Sequence, residues 1–429
     1  MYHKDLVFSL TSEPSPTVSI VVSHTVVETM YQHMLHCQQE TARTTGFSQG
    51  TVPLKYIEST FKQHIIEYLK EFFFYYAVSN FLFQQRLEQK LVIAGEPILR
   101  SITIAPGQDA IFTFDIILAR PEAKIDWKKL SFKAPERKNY KDLDRQVESF
   151  IKEETEKMNR HTQDTIDIGD WVCVEFHVII DGANTLLTMA PHVIWIKVGD
   201  EESDHVIHDM LLHKKIGESF TTTSELLQEY ISPHLDTQHI FAVTILRYVP
   251  AIFFSFDNFK RHFKIKNNKE MHLKLIEVFS CRNDITQRRE TIEALFKLLL
   301  NSYLIPLEES SIHKQKEQVL DIVHLNPDYH VYKAQTDFKN KVWQLAIKQL
   351  KETILIDYLA HQDQITVSDD DVVCYLNLIK RPRMKEFIYF DIAPWKMSGK
   401  DRIISHDMLR QLCLREKMLN HIIHYLTKK

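Results

Sequence analysis

The chain has 429 residues, which is too long for one compact core and predicts two or three domains. Lys and Arg total 53 against 57 Asp and Glu, so the net charge of −4 gives no overall attraction to DNA or to an anionic membrane. The five cysteines are scattered and form no C-x-x-C pair, which argues against a disulfide framework or a zinc site and favours a reducing, cytoplasmic location.

The first part of the chain, residues 1–125, predicts an α+β head. An alternating, β-branched strand precedes Thr25-x-x-Glu28, whose spacing is typical of a capping box that opens a helix. Gly and Pro residues break this helix before a second one, and two strands joined by a Pro-Gly turn follow. The predicted strand, two helices and two strands cover residues 17–22, 25–42, 54–89, 98–104 and 110–119.

The rest of the chain predicts a linker, a β-rich insert and an all-helical C-terminal domain. A charged, glycine-free stretch is the linker and connecting helix, 126–162, and short strands then indicate a small antiparallel-β domain, 163–249. No glycine lies between Gly217 and Gly399, and apolar residues recur at helical spacing over 250–429. We therefore predict a multidomain α+β fold whose C-terminal helices pack as arms.

The sequence carries no signature of nucleotide, metalloprotease or serine-hydrolase chemistry. Pairs of histidines with H-x-x-H spacing place two imidazoles on one helix face, but no third metal ligand follows any of them. These pairs are His33 and His36, His205 and His208, and His421 and His424. We interpret them as surface or packing residues and predict no metal and no cofactor. The most apolar window, Phe72–Val78, is too short for a membrane span of about 20 residues.

The run from Gly46 to Pro53 resembles the Gly-Phe-Arg-x-Gly-Lys-x-Pro signature of the trigger factor family. The order of elements agrees with that family, and Arg120-Pro121-Glu122 follows the two strands as it does there. The resemblance implies that this loop docks on the ribosome near the exit tunnel, although Ser48 and Thr51 stand where the family has Arg and Lys. The predicted docking residues, with two flanking cations, are Arg43, Gly46, Phe47, Ser48, Gln49, Gly50, Thr51, Pro53 and Lys55.

The insert resembles the family's peptidyl-prolyl isomerase domain of the FK506-binding type. Isomerisation needs no nucleophile, because the barrier is the loss of amide resonance in the twisted bond. The resemblance assigns Phe176, Tyr230 and Phe241 to the aromatic pocket, and Asp204 and Ile207 to the run that replaces the family's Ile-Pro-Gly-Phe. A carboxylate beside an apolar prolyl ring is costly to desolvate, so we predict weak or absent isomerase activity. The alternative is that the three aromatic residues only pack a core.

Apolar side chains on the helical arms are the candidate surface for unfolded clients. They are Phe253, Phe254, Phe256, Phe259, Phe263, Leu295 and Leu299. The alternative is that these residues are core stripes. The predicted function is a chaperone for nascent or unfolded polypeptides at the large ribosomal subunit. An active isomerase and a ribosome-independent holdase or assembly protein are the alternatives. The resemblance also leaves open a homodimer off the ribosome.

Overall fold

The computed structural model describes residues 5–11, 16–135, 142–161, 164–180, 185–186, 192–199, 205–231, 239–283, 285–392 and 403–427. The head is a four-stranded antiparallel sheet with long helices packed on one face, in the strand order β1-β2-β4-β3. The strands are β1 (Leu6–Thr11), β2 (Thr17–Val22), β3 (Ile98–Thr103) and β4 (Ala110–Asp115). Strand β1 was not predicted, and only its first residue is buried.

Two helical segments cover the head sheet, and the second is interrupted by one π-helical turn. They are α1 (His24–Thr41), α2 (Leu54–Phe73), the π-helical turn (Phe74–Val78) and α3 (Ser79–Glu88). The prediction that Thr25 and Glu28 form a capping box is wrong, because the helix has Ser23 at its N-cap and no side-chain cap. Helix α1 begins at His24, one residue earlier than expected, and the backbone N–H of His24 donates to Asp109 Oδ1 at 2.7 Å. An Asp from the end of the sheet therefore satisfies this helix terminus.

The insert is built on a sheet that is buried on both faces. Its strands are β6 (Trp171–Ile180), β7 (Thr185–Leu186), β8 (His192–Lys197), β9 (Ser219–Thr222) and β10 (Ile240–Val249), with helices α5 (His205–Leu211) and α6 (Glu225–Ile231). Strand β12 (Ile403–Ser405) from the C-terminal region extends it, giving the order β12-β8-β6-β10-β9 with β7 on β6. On β6, Cys173 belongs to the core of the C-terminal helices, whereas Val174 belongs to a second core that the head shares with α5 and α6, so β6 lies between two cores.

The linker contributes β5 (Glu122–Ala123), which pairs with β11 (Tyr303–Leu304), and helix α4 (Leu143–Arg160). The C-terminal helices are α7 (Phe256–Phe263), α8 (Asn268–Asn283), α9 (Ile285–Ser302), α10 (Glu309–His324), α11 (Tyr329–Lys333), α12 (Phe338–Gln362), α13 (Asp369–Ile379), α14 (Pro382–Lys385) and α15 (His406–Thr427). The capping box of Ser368 and Asp371 that opens α13 is present.

Most of the C-terminal helices share one hydrophobic core, which includes Trp127 of the linker and Trp195 of the insert. The C-terminal region is helical as predicted, and most of its helices pack into this core. One hairpin does extend from the core. It consists of α10, α11 and the first half of α12, and its residues 324–341 are mostly exposed. We call this segment the helical arm.

A buried ion cluster joins the head to the C-terminal helices. Asp357 of α12, 1% exposed, accepts two hydrogen bonds of 2.8 Å from Arg415 of α15. Arg86 of α3 donates to the same carboxylate at 3.2 Å, and Gln411 donates at 2.7 Å. Burial alone would raise the pKa of Asp357, but Arg415 and Arg86 hold it below its ordinary value. The carboxylate therefore stays charged and ties three elements together.

Among the described residues, no helix is long and apolar enough to cross a bilayer.

Candidate functional site

The loop between α1 and α2 forms a tight turn that only its glycines allow. Gly46 and Gly50 have φ values of 93° and 81°, in the left-handed region that side chains other than glycine rarely adopt. The Thr51 hydroxyl and N–H donate to the Ser48 carbonyl at 2.7 and 3.0 Å. Val52 is fully buried, and its carbonyl accepts a 2.6 Å hydrogen bond from the Gln39 side chain. The turn is thus anchored on the head at its base.

The tip of this loop brings the predicted docking residues together on the surface. Phe47 is 43% exposed and rests against Tyr56, with ring centroids 5.8 Å apart. The other predicted docking residues are also exposed: Arg43, Gly46, Ser48, Gln49, Gly50, Thr51, Pro53 and Lys55. The sequence has no charged residue between the two flanking cations. The tip is therefore a polar and aromatic surface with one positive charge on each side.

The predicted isomerase residues also come together, but inside the protein. Phe176 and Phe241 are fully buried with ring centroids 5.7 Å apart, and Tyr230 lies 6.4 Å from Phe176. Ile207 of α5 is buried as well. Asp204 lies outside the described residues. The described part of the expected pocket is thus present as a cluster of aromatic side chains.

The head fills the space in front of this cluster. The Tyr76 ring, from the π-helical turn, lies 5.0 Å from the His192 ring and 6.5 Å from Phe176. Its hydroxyl accepts a hydrogen bond of 3.3 Å from the N–H of Val178, and its carbonyl contacts His192 Nε2. The Tyr68 hydroxyl hydrogen-bonds to His239. We call this contact between head and insert the closed cleft.

The polar groups of the closed cleft are held neutral. Burial lowers the pKa of His192 to about 4 and that of His239 to about 3, and His33 adds to the effect on His239. Burial likewise raises the pKa of Tyr76 and of Tyr230. His192 and His239 were not predicted as site residues. Their partners Tyr76 and Tyr68 lie in a distant helical segment, and nothing in its sequence indicates that it packs against the insert.

The predicted client residues are mostly inside the C-terminal core. Phe254, Phe259, Leu295 and Leu299 are fully buried, so the expectation that they form exposed surface is wrong. Phe253, Phe256 and Phe263 are partly buried. The physical reason is that these side chains fill the core between neighbouring elements, as when Phe254, which precedes α7, lies 5.5 Å from Phe150 of α4. The alternative interpretation, core stripes, describes them correctly.

Exposed apolar side chains instead occur on the helical arm. They are Ile322, Leu325, Val331, Tyr332 and Leu345, and Val331 is the most exposed of them at 65%. Charged residues stand between them along the sequence, such as Lys333 and Asp337. No sequence pattern singled these residues out, since they lie in a polar stretch and form no continuous stripe. Their side chains are accessible to a partner.

Histidines of the H-x-x-H pairs make contacts within the fold. His208 Nε2 hydrogen-bonds to the Gly199 carbonyl at 2.7 Å, and His421 lies 3.9 Å from Asp363. Within the described part of the chain, no group of three His, Cys, Asp or Glu side chains is placed to hold a metal ion.

The fold and the sites define a multidomain α+β protein with an exposed glycine-containing loop on its head, a closed β-rich insert and a helical arm. Residues 9–153 match the family model of bacterial trigger factor protein. This match covers the head and part of the linker, which is the N-terminal third of the chain. No curated protein matches the chain. A solved structure titled "Promiscuous Substrate Recognition in Folding and Assembly Activities of the Trigger Factor Chaperone" matches at 13% identity and a TM-score of 0.37, covering 97% of this chain and 99% of that one.

Proposed function

We propose that this protein is a chaperone that docks on the ribosome through the loop between Arg43 and Lys55 and holds unfolded polypeptides on its helical arm. The observation that carries the proposal is the exposure of every predicted docking residue at the end of a helical hairpin anchored on the head. The family match spans this loop, which adds support. Cytoplasmic location and work on nascent chains near the exit tunnel follow from the proposal.

The chemistry of the loop implies a docking contact with little charge. The tip has no Arg or Lys of its own, so Phe47 and the exposed backbone supply most of the contact. Only Arg43 and Lys55 are placed to approach phosphates or acidic side chains. Each neutralised phosphate contributes a slope of roughly 0.7 to 0.9 to the fall of log affinity with log salt. We therefore expect a slope no steeper than about 2.

Co-sedimentation with ribosomes over a range of salt concentrations tests the docking proposal. Phe47→Ala should lower the bound fraction at every salt concentration, because the apolar contact is lost. Arg43→Ala and Lys55→Ala should each lower binding mainly at low salt and flatten the slope. Lys62→Ala, an exposed cation farther along α2, is the matched control and should change nothing. Wild-type protein that fails to sediment with ribosomes at low salt would contradict docking and favour the ribosome-independent holdase.

The helical arm supplies the client surface of the proposal. Val331 and Tyr332 are adjacent, exposed and apolar on a hairpin rich in polar residues, and we infer that clients bind them through weak and unselective apolar contacts. Suppression of aggregation of a chemically unfolded protein measures this activity. Replacing Val331 and Tyr332 together by Ser should weaken suppression. Ile216→Ser, which changes an insert residue that is 54% exposed, is the control and should leave suppression intact.

The isomerase alternative is disfavoured by the closed cleft. A prolyl ring needs the space beside Phe176 and Phe241, and Tyr76 of the head fills that side. We propose that the chain in this arrangement has no appreciable isomerase activity, and that the aromatic cluster serves to hold head and insert together. A proline-limited refolding assay with rates as high as those of an active isomerase would contradict this.

A further inference from the structure

A groove of about 410 Å³ opens on the head between helix α2 and strand β3. It is lined by His64, Glu67, Tyr68, Lys70, Glu71, Phe74, Tyr75, Leu99 and Ile102. Leu99 and Ile102 pair across the sheet with Phe114 and Phe112, so they lie on the face that the helices cover. Leu99 is nevertheless 37% exposed and lines the groove. The groove is therefore an uncovered strip of the head core.

One wall of the groove is an unpaired strand edge. Strand β3 is the last strand of the head sheet, and within the described part of the chain it pairs with β4 alone. An edge strand presents backbone N–H and C=O groups that an extended chain can hydrogen-bond. Such an added strand would place alternate side chains in the groove, next to Leu99 and Ile102.

The charges in the groove favour a basic side chain on the occupant. Glu67 is already paired with Lys70 at 2.9 Å. Glu71 Oε1 is buried and has no hydrogen-bond partner among the described residues. Glu71 lines the groove and has no ion-pair partner among the described residues, so a bound Lys or Arg would pair with the accessible part of its carboxylate. The groove thus combines apolar and acidic recognition beside a free backbone edge.

We propose that this groove binds an extended segment of an unfolded polypeptide, which adds a fifth strand beside β3 and places a basic residue at Glu71. The occupant is an unfolded chain because more than about 90% of backbone groups in folded proteins are already paired, so they are not free to join a strand edge. The inference rests on the proposed chaperone function and gives the head a client site separate from the helical arm.

Fluorescence anisotropy with the full chain and a labelled peptide of about nine residues tests the inference. The peptide alternates Leu with polar residues and contains one central Lys. Leu99→Asn should weaken binding about fivefold to tenfold by removing apolar contact. Ile111→Asn is the matched control, since Ile111 is 39% exposed on the opposite face of the same sheet, and it should bind like the wild type. Glu71→Gln should weaken the Lys peptide but not one with norleucine in its place.

N-methylation of the peptide tests the backbone pairing separately from side chains. Two versions carry methyl groups on alternate amides, one on odd and one on even positions. A strand that pairs along one edge uses only every second N–H, so one version should lose binding and the other should keep it. Equal effects of the two versions would overturn strand addition.

The remaining outcomes separate this inference from the proposed function. If Leu99→Asn and Glu71→Gln bind the peptide as well as the wild type, and the variant with Ser at positions 331 and 332 does not, then the groove is not the peptide site. The inference is then overturned, and the proposed chaperone function stands. If the wild type neither binds the peptide nor suppresses aggregation, both fail. If Leu99→Asn abolishes a dimer seen in sedimentation and peptide does not compete with that dimer, the occupant is a second copy of this chain and the inference is overturned.

Discussion

Tyr76 is the residue whose replacement tests the closed cleft most directly. Its side chain is buried between head and insert, and its hydroxyl accepts the N–H of Val178 at 3.3 Å. Tyr76→Phe removes only that hydrogen bond and should cost about 1 kcal/mol. Tyr76→Ala also removes the ring from its contacts with Phe72, His192 and Phe176, and should cost about 3 to 5 kcal/mol. The difference, about 2 to 4 kcal/mol, is the contribution of ring packing across the cleft.

Hydrogen exchange of the backbone amides in β6 and β8 is the appropriate assay, because a multidomain chain does not unfold in one step. A loss of about 3 kcal/mol should raise the opening equilibrium of these strands more than a hundredfold. Tyr75→Ala is the matched control, since Tyr75 is the adjacent residue but points to the surface and is 36% exposed. If Tyr76→Ala exchanges no faster in β6 than Tyr76→Phe or Tyr75→Ala, the ring does not hold head and insert together and the reasoning is wrong.

Acid should weaken the same contact, because the pKa values of His192 and His239 are lowered to about 4 and about 3 from an ordinary 6.5. The unfolded imidazoles take up protons below about pH 6.5 and the folded ones do not, so stability is unaffected above that pH and falls as pH drops towards about 4. Each histidine should cost about 2 kcal/mol at about pH 5, measurable as a loss of hydrogen-exchange protection in β8 and β10 that the double His→Gln variant lacks. Asp357→Asn should cost about 3 to 5 kcal/mol, since it leaves Arg415 buried without its anion, and a thermal midpoint within about 1 °C of wild type would contradict this. Opening the cleft with Tyr76→Ala should raise proline-limited refolding catalysis above the wild-type level only if the aromatic cluster retains a working pocket; no rise in an otherwise folded variant means that the cluster only packs.

Local elements of this fold follow well from the sequence, and contacts between domains do not. The alternation in Trp171–Ile180 identifies β6, and the Ser368 capping box marks the start of α13, because both depend on neighbouring residues. The aromatic run at Phe72–Val78 predicted only a helix. Its packing on His192, more than a hundred residues away, depends on how two separately folded surfaces meet. No periodicity in either segment carries that information.

The same limit explains the outcome for the candidate sites. The docking loop was predicted from the resemblance of Gly46–Pro53 to a family signature, and its exposure agrees with a turn at Gly46 and Gly50, since turns lie outside the core. The client residues were predicted from apolar stripes, which look the same whether a helix faces a partner or its own core, and Phe254 and Leu295 proved to be core. The arm residue Val331 was missed because a single apolar residue in a polar stretch forms no stripe.

Helix α2 connects the proposed activities of the head, because it uses a different face for each. It begins at the docking loop, and its 20 residues extend it by about 30 Å towards the insert. Glu71 lies on the face that lines the groove, whereas Phe72 lies on the face that packs against His239 in the closed cleft. Tyr68 reaches both, since it lines the groove and its hydroxyl bonds to His239. Substitutions at Glu71 and at Tyr76 therefore report on the groove and on the cleft separately, while any change at Tyr68 must disturb both.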